Sequence, residues 1–316
     1  MSVFTPLTGA ELETFIAPYA LGRLKHFEGI SGGAENSNFH LSLEAGEFVL
    51  TLVERAADLD LQFCLALLQR LHQAGLPVPF AVATQNGETL RELAGKPALL
   101  QPFLPGSHVQ QPGPQHCSEV GRWLAHMHLA TGEQPLEHPS DRDLQWMLRE
   151  GAVLAVQLPP RDLLLLRGSL SEIERLQEHI GQLPRANLHA DLFRDNVLFE
   201  GSHLCGVIDF YNACSGPMLY DLAIAVNDWC SMADGRLDHH RANALLGAYA
   251  ALRPFRRSEM ELWPAMLRIA CLRFWLSRLL AAGQGPRPGV LLKNPQEFRD
   301  LLARRQQVDL ALPLAL

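Results

Sequence analysis

No stretch of the 316-residue sequence approaches the ~18 uninterrupted apolar residues of a membrane-spanning helix, so such a span is excluded. Positive charge is in deficit: 27 Lys and Arg against 34 Asp and Glu leave a net charge of -7. That balance lacks the basic footprint of a partner for nucleic acid or anionic membrane, while leaving room for a locally basic phosphate pocket. The six cysteines (Cys64, Cys117, Cys205, Cys214, Cys230, Cys271) contain no C-x-x-C pair, and the 13 histidines, including His239-His240, have no zinc-finger spacing. Scattered thiols of this kind predict reduced, mostly buried cysteines and a cytoplasmic setting. The opening Met-Ser-Val-Phe-Thr-Pro-Leu has neither a charged nor an apolar leader region, so no secretory signal is expected.

What is present is ordinary globular material, 47% hydrophobic and 19% charged. At ~150 residues per domain the length predicts two domains or lobes with a core that needs no staples. The first hundred residues read as β3-α-β2. Phe27 to Ile30, Asn38 to Leu43 and Phe48 to Val53 form a meander whose first turn carries Gly32-Gly33. Asp58 or Asp60 caps a helix to about Ala74, closed by Gly75 and Pro77. Val82 to Thr84, an Asn86-Gly87 hairpin, Thr89 to Leu93 and Pro97 to Gln101 follow. The Pro/Gly connector Gln101 to Gly106 sets a boundary between 1–101 and 102–316. Beyond it helices are predicted over 115–131, 142–149, 170–182, 217–231, 238–252, 258–282 and 295–306.

One β interruption stands in the helical half. Asn196 to Glu200 and His203 to Asp209 flank Gly201-Ser202, a two-residue hairpin signal. If Glu200 pairs with His203, Asn196 lies opposite Val207 and Asp209 emerges at the same open end. Just before it stands His189-Ala190-Asp191-Leu192-Phe193-Arg194-Asp195-Asn196, with the H-x-D-L-x-x-x-N spacing of a phosphotransferase catalytic loop. A metal phosphoesterase needs more histidine and carboxylate ligands at short spacing, and none are adjacent. The Ser31–Asn38 turn is not G-x-x-x-x-G-K-[ST], which excludes a P-loop, and it opens no helix, which argues against a dinucleotide fold.

With Ile208-Asp209-Phe210-Tyr211 placed after the hairpin, the chain resembles the aminoglycoside-phosphotransferase and choline-kinase family. That resemblance implies an α+β, bilobal protein-kinase-like fold. It has a small N-terminal nucleotide-binding lobe, an antiparallel sheet with one helix, and a larger, mostly helical catalytic lobe. It implies ATP and Mg²⁺ as cofactors. Asp191 orients the substrate hydroxyl and accepts its proton, and His189 is grouped with it, chiefly as a hydrogen-bonding positioner. Asn196 and Asp209 supply hard oxygen ligands to the metal. The lid over the phosphates comprises Ser31, Gly32, Gly33, Asn36, Ser37 and Asn38. The adenine edge meets Gln101, Phe103 and Leu104 through hinge backbone, with Val49 and Val207 or Ile208 as walls. One departure is plain: Thr51 holds the strand-three lysine position, and no glutamate lies between Leu61 and Gly75. Arg55 is the nearest cation, as a phosphate contact or a solvated strand end.

The segments Ala34-Glu35-Asn36-Ser37-Asn38-Phe39, Phe48 to Leu52 and Tyr220 to Cys230 narrow the resemblance to the bacterial homoserine kinases built on this scaffold. That implies a small-molecule substrate, homoserine, phosphorylated on the way to threonine. A zwitterion needs complementary charge, and Tyr211, Asn227, Asp228, Arg194 and Arg273 are the candidates. Asp221 is expected as a cap or a partner of the catalytic loop, and Trp229 as core or a binding wall. Two other readings stay open: a kinase of another small alcohol or an aminoglycoside, and a non-catalytic nucleotide-binding module suggested by Thr51.

Overall fold

The computed structural model describes residues 5–30, 36–54, 60–285 and 292–313. The chain separates into two compact units with the division between Pro105 and Gly106, inside the Pro/Gly connector.

The N-terminal unit is built on a five-stranded antiparallel sheet: β1 (Leu24–Gly29), β2 (Ser37–Leu43), β3 (Gly46–Leu52), β4 (Arg91–Leu93) and β5 (Lys96–Pro102), in the order β1-β2-β3-β5-β4. Alternation along β2 sends Ser37, Phe39, Leu41 and Leu43 to one buried face and Asn38, His40 and Ser42 to the other. Helix α1 (Gly9–Ile16) covers the apolar face, packing Leu12, Phe15 and Ile16 against Phe39, Leu41, Leu50, Leu52 and Leu100. This helix departs from the expectation of one helix for the lobe; the described residues contain two. Its start is a capping box in which Thr8 and Glu11 exchange hydrogen bonds. Helix α2 (Leu61–Gln73) begins as predicted at Asp60, whose side chain accepts from the Phe63 N–H at 3.0 Å; Asp58 lies outside the described residues. Gly75, with φ +78°, ends it in the left-handed conformation that glycine tolerates best.

The Asn86-Gly87 signal marks a tight turn closed by Thr84 but joins no strands, and Val82 to Thr84 forms none. The hairpin sits one segment on: Leu93 pairs with Lys96 across Ala94-Gly95, both with positive φ, as a two-residue turn between twisted strands requires.

The C-terminal unit contains α3 (Pro114–Gly132), α4 (Leu144–Leu154), α5 (Pro160–Gly181), α6 (Met218–Trp229), α7 (His239–Ala250), α8 (Arg257–Gly283) and α9 (Pro295–Arg304). Helix α5 starts at Pro160, well before the expected 170. Pro160 suits the first helical turn, and the Leu163–Leu166 run had hidden the helical period. Two short antiparallel pairs complete the unit. β6 (Arg185–Leu188) pairs with β9 (Cys214–Pro217), which was not foreseen, and β7 (Val197–Glu200) pairs with β8 (His203–Val207). All six cysteines are free, and five are buried. No helix of the described residues is long and apolar enough to cross a membrane.

Candidate active site

Strand β6 leads into the 189–196 loop, and that loop lies lengthwise along α6. Asp221, in the first turn of α6, is fully buried and accepts from the His189 N–H at 2.8 Å and the Ala190 N–H at 2.7 Å. Seven positions on, and so on the same helical face, Asp228 accepts from the Arg194 N–H at 2.8 Å and from its guanidinium. Between them the Trp229 indole N–H donates to the Leu192 carbonyl at 3.0 Å. Beneath Asp221, buried His128 donates to its carboxylate at 3.3 Å and accepts from the Tyr249 hydroxyl at 2.9 Å. These contacts hold Ala190 at φ 59°, an unfavourable conformation for a residue with a Cβ, and thereby turn Asp191 out of the loop.

His189 is fully buried, with its ring tilted at 49° against Phe210, their centroids 4.7 Å apart. Its Nε2–H donates to the Ile208 carbonyl at 3.0 Å, and its Nδ1 faces the Asp191 N–H at 3.3 Å. Both nitrogens are thus occupied: Nε2 ties the loop to the segment that carries Asp209, and Nδ1 braces the loop itself. The β7–β8 hairpin pairs Glu200 with His203, but a bulge between Leu198 and Phe199 advances the register. Val197 therefore faces Val207, and Asn196 stands opposite Ile208, whose N–H donates to the Asn196 carbonyl at 3.0 Å. The correction is one residue, and it brings Asp209 closer to Asn196 than expected. The Asn196 amide nitrogen donates to the Asp191 carbonyl at 2.8 Å, leaving its side-chain oxygen as the available ligand atom. Asp209 has φ 65°, a second left-handed residue at the same spot. No cluster of three or more His, Cys, Asp or Glu that could hold a metal occurs among the described residues. An amide oxygen and a single carboxylate instead suit a hard cation that takes its remaining ligands from phosphates and water.

Arg273, 5% exposed on α8, places its guanidinium 3.8 Å from the Asp191 carboxylate and donates to the Asn212 side-chain oxygen at 3.2 Å. The other substrate candidates fare differently. Arg194 and Asp228 are spent on each other. Burial pushes the Asp228 carboxyl above the usual carboxylate range while the Arg194 charge pulls it back. Asn227 is 1% exposed, donating to the Leu267 carbonyl and accepting from buried Arg305. These three brace the fold, and they line a groove whose described walls include neither Asp191, Asn196 nor Asp209. Tyr211 lies in the short 3₁₀ turn Phe210–Asn212, beside Asp209. Trp229, Trp263 and Trp275 are all core.

In the N-terminal unit Ser31, Gly32, Gly33 and Arg55 lie outside the described residues. Asn36 and Ser37 are buried; the Asn36 side-chain oxygen accepts from the Glu54 N–H at 3.2 Å, and the Ser37 hydroxyl donates to the Glu54 carboxylate at 2.5 Å. Glu54 also pairs with Lys96. Asn38 faces the opposite side of the sheet, where the Thr51 hydroxyl donates to its side-chain oxygen at 2.7 Å. Thr51 also lies 3.3 Å from the Gln101 side chain, which in turn donates to the Pro79 carbonyl. In the connector the Phe103 N–H donates to the Glu47 carbonyl at 3.0 Å, so its carbonyl and the Leu104 backbone are the groups to meet an adenine edge.

Residues 26–255 match the model of the phosphotransferase enzyme family. The chain is 61% identical over 316 residues, the whole of both sequences, to a homoserine kinase of Pseudomonas aeruginosa (strain UCBPP-PA14). It is 41% identical over 305 residues to a homoserine kinase of Neisseria meningitidis serogroup B, covering 96% of this chain and 99% of that one. Among solved structures it resembles an amicoumacin kinase in complex with AMP-PNP and Ca²⁺, with TM-score 0.66, 16% identity and coverage of 93% and 91%. It also resembles the GDP complex of aminoglycoside 2'-phosphotransferase-IIIa, with TM-score 0.66, 15% identity and coverage of 95% and 99%. These likenesses establish a protein-kinase-like α+β fold. Since the matched span runs from β1 through the loop, the hairpin and Asp209, the chain belongs to the phosphotransferase enzyme family.

Proposed function

We propose that this chain is an ATP-dependent homoserine kinase, transferring the γ-phosphoryl group to the side-chain hydroxyl of L-homoserine to give O-phospho-L-homoserine, in the cytoplasm and on the way to threonine. The observation that carries it is the full-length 61% identity to a homoserine kinase, joined to an unbroken H-x-D-L-x-x-x-N loop and its Asp209.

Asp191 orients the substrate hydroxyl and takes its proton as the oxygen attacks phosphorus and the bond to the ADP leaving group breaks. Arg273 keeps its guanidinium 3.8 Å from that carboxylate and helps to fix its position. Asn196 and Asp209 would hold Mg²⁺, which when bound neutralises the β- and γ-phosphates. His189 keeps these two parts in register, and Asp221 fixes the loop backbone. The side-chain amides of Asn36 and Asn38 and the connector backbone at Phe103 and Leu104 are the nucleotide contacts in this reading.

A coupled ADP-release screen over homoserine, choline, hydroxylysine and kanamycin tests the reading. Homoserine is expected to give the highest kcat/KM; turnover favouring kanamycin or choline would assign the site to another alcohol, and no turnover with any substrate would favour the non-catalytic module.

A further inference from the structure

Phe193 stands two residues past Asp191, and its backbone ties the base to Asn196. Its N–H donates to the Asp191 carbonyl at 2.8 Å, and its carbonyl accepts from the Asn196 N–H at 3.0 Å. The Asn196 side-chain amide closes the same knot at the Asp191 carbonyl. Where the Phe193 backbone sits therefore sets the separation of the two functional side chains.

The Phe193 ring is buried against two helices that lie outside the matched span 26–255. Phe274 of α8 meets it edge-on, centroids 4.7 Å apart at 64°, and Phe298 of α9 meets it at 6.0 Å and 60°. Phe274 and Phe298 stack on each other at 5.0 Å and 29°, which closes a triangle of rings. Such pairs favour particular ring orientations, a constraint that aliphatic side chains do not supply. Arg278 lies 4.5 Å over the Phe298 ring and donates to Glu297 and to the Asn294 carbonyl, fixing the start of α9 against α8. Arg273 lies 3.9 Å over the Phe274 ring while its guanidinium stands 3.8 Å from the Asp191 carboxylate. The triangle thus reaches the base by two routes, the Phe193 backbone and Arg273. Lys293, just before α9, also pairs with Asp195 at 2.9 Å, but both groups are half exposed and such pairs contribute little.

We infer that Phe193 is a positioning residue: seated between Phe274 and Phe298, its ring fixes the spacing of Asp191 from Asn196, and α9 acts on the chemistry through it. This rests on the base role given to Asp191 above and holds for whichever alcohol meets that carboxylate.

The test is Phe298→Leu, which keeps an apolar side chain in α9 and removes the ring. Phe193→Leu asks the same question from the loop, and Leu166→Ala, a change in the buried face of α5, controls for lost stability. Turnover is measured well below each melting midpoint with the alcohol the parent uses best, and amide exchange over 189–196 by mass spectrometry. Each ring deletion is expected to lower kcat ~10-fold or more with the alcohol KM within ~3-fold, and to speed exchange in the loop ~10-fold or more. The double variant should lose no more than ~2-fold beyond the poorer single, as for residues that act as a unit. Leu166→Ala should melt earlier while its kcat and loop exchange stay within ~3-fold of the parent. Parental kcat and loop exchange in Phe298→Leu, or equal losses in Leu166→Ala, would reduce the rings to packing and overturn the inference. Losses that multiply in the double variant would separate α9 from the loop and overturn it as well. Near-parental turnover in Asp191→Asn, measured alongside, would instead refute the base role, and the inference with it.

Discussion

Replacing Asp221 by Asn tests whether α6 builds the catalytic loop. The carboxylate accepts from His189, Ala190 and His128 at 2.8, 2.7 and 3.3 Å in a fully buried site. Asn keeps the shape and only one acceptor oxygen, so its NH₂ must face at least one N–H. Losing a hydrogen bond to a charged acceptor costs ~1.5–3 kcal/mol and orphaning a buried N–H ~1–3 kcal/mol, so a loss of ~3–5 kcal/mol is expected. At roughly 2–4 °C per kcal/mol for a unit of this size, the melting midpoint should fall by about 10 °C. The loop should also respond. Ala190 at φ 59° stores ~1–3 kcal/mol that these bonds hold in place. Released, it lets Asp191 drift, and a shift of ~1 Å in a reacting group can cost ~100-fold. Steady-state kinetics well below the melt should therefore show kcat reduced ~10- to 100-fold with the KM for ATP little changed. A variant that melts and turns over like the parent would falsify the claim that this carboxylate braces the loop.

Asp191→Asn removes the base while keeping its shape; kcat should fall ~10²–10⁴-fold with Mg-ATP affinity little altered, and near-parental turnover would move the base role elsewhere. Asp209→Ala should abolish turnover and raise the Mg²⁺ requirement, measured by activity against metal concentration; parental Mg-ATP binding would remove Asp209 from the ligand set. Thr51→Ala should keep kcat within ~3-fold, because its main contact is one neutral hydrogen bond to Asn38 worth ~1 kcal/mol. Thr51→Lys should lower the melting midpoint without raising kcat, since position 51 is 4% exposed and flanked by the amides of Asn38 and Gln101. A loss of ~100-fold or more in Thr51→Ala would give that hydroxyl a phosphate role.

What the sequence discloses follows the range of the interactions involved. The Asp191 loop and the Asn196–Asp209 hairpin were legible because fixed spacing and a Gly-Ser turn specify them within a few residues. The Thr8-x-x-Glu11 box before Leu12, Phe15 and Ile16 was equally local and could have revealed α1. Strands β6 and β9 are four residues each and carry Gly, Ser and Pro, too short for an alternation to register. The hairpin bulge is invisible to a pairing rule that counts outward from the turn. Arg194, Asn227 and Asp228 had suitable chemistry, but only tertiary structure reveals that their groups are already satisfied. The loop before α4 is opaque in the same way: nothing in it predicts its course until Asn187 and Ser215, distant in sequence, fasten it.

Because α6 grips the loop at Asp221, Trp229 and Asp228, the backbone that carries Asp191 rides on a rigid chassis of its own. From the other side Arg273 on α8 reaches the Asp191 carboxylate, so the chassis and the inner face of α8 meet at one side chain. A redesign of what meets Asp191 should therefore leave α6 untouched and keep the charge at position 273.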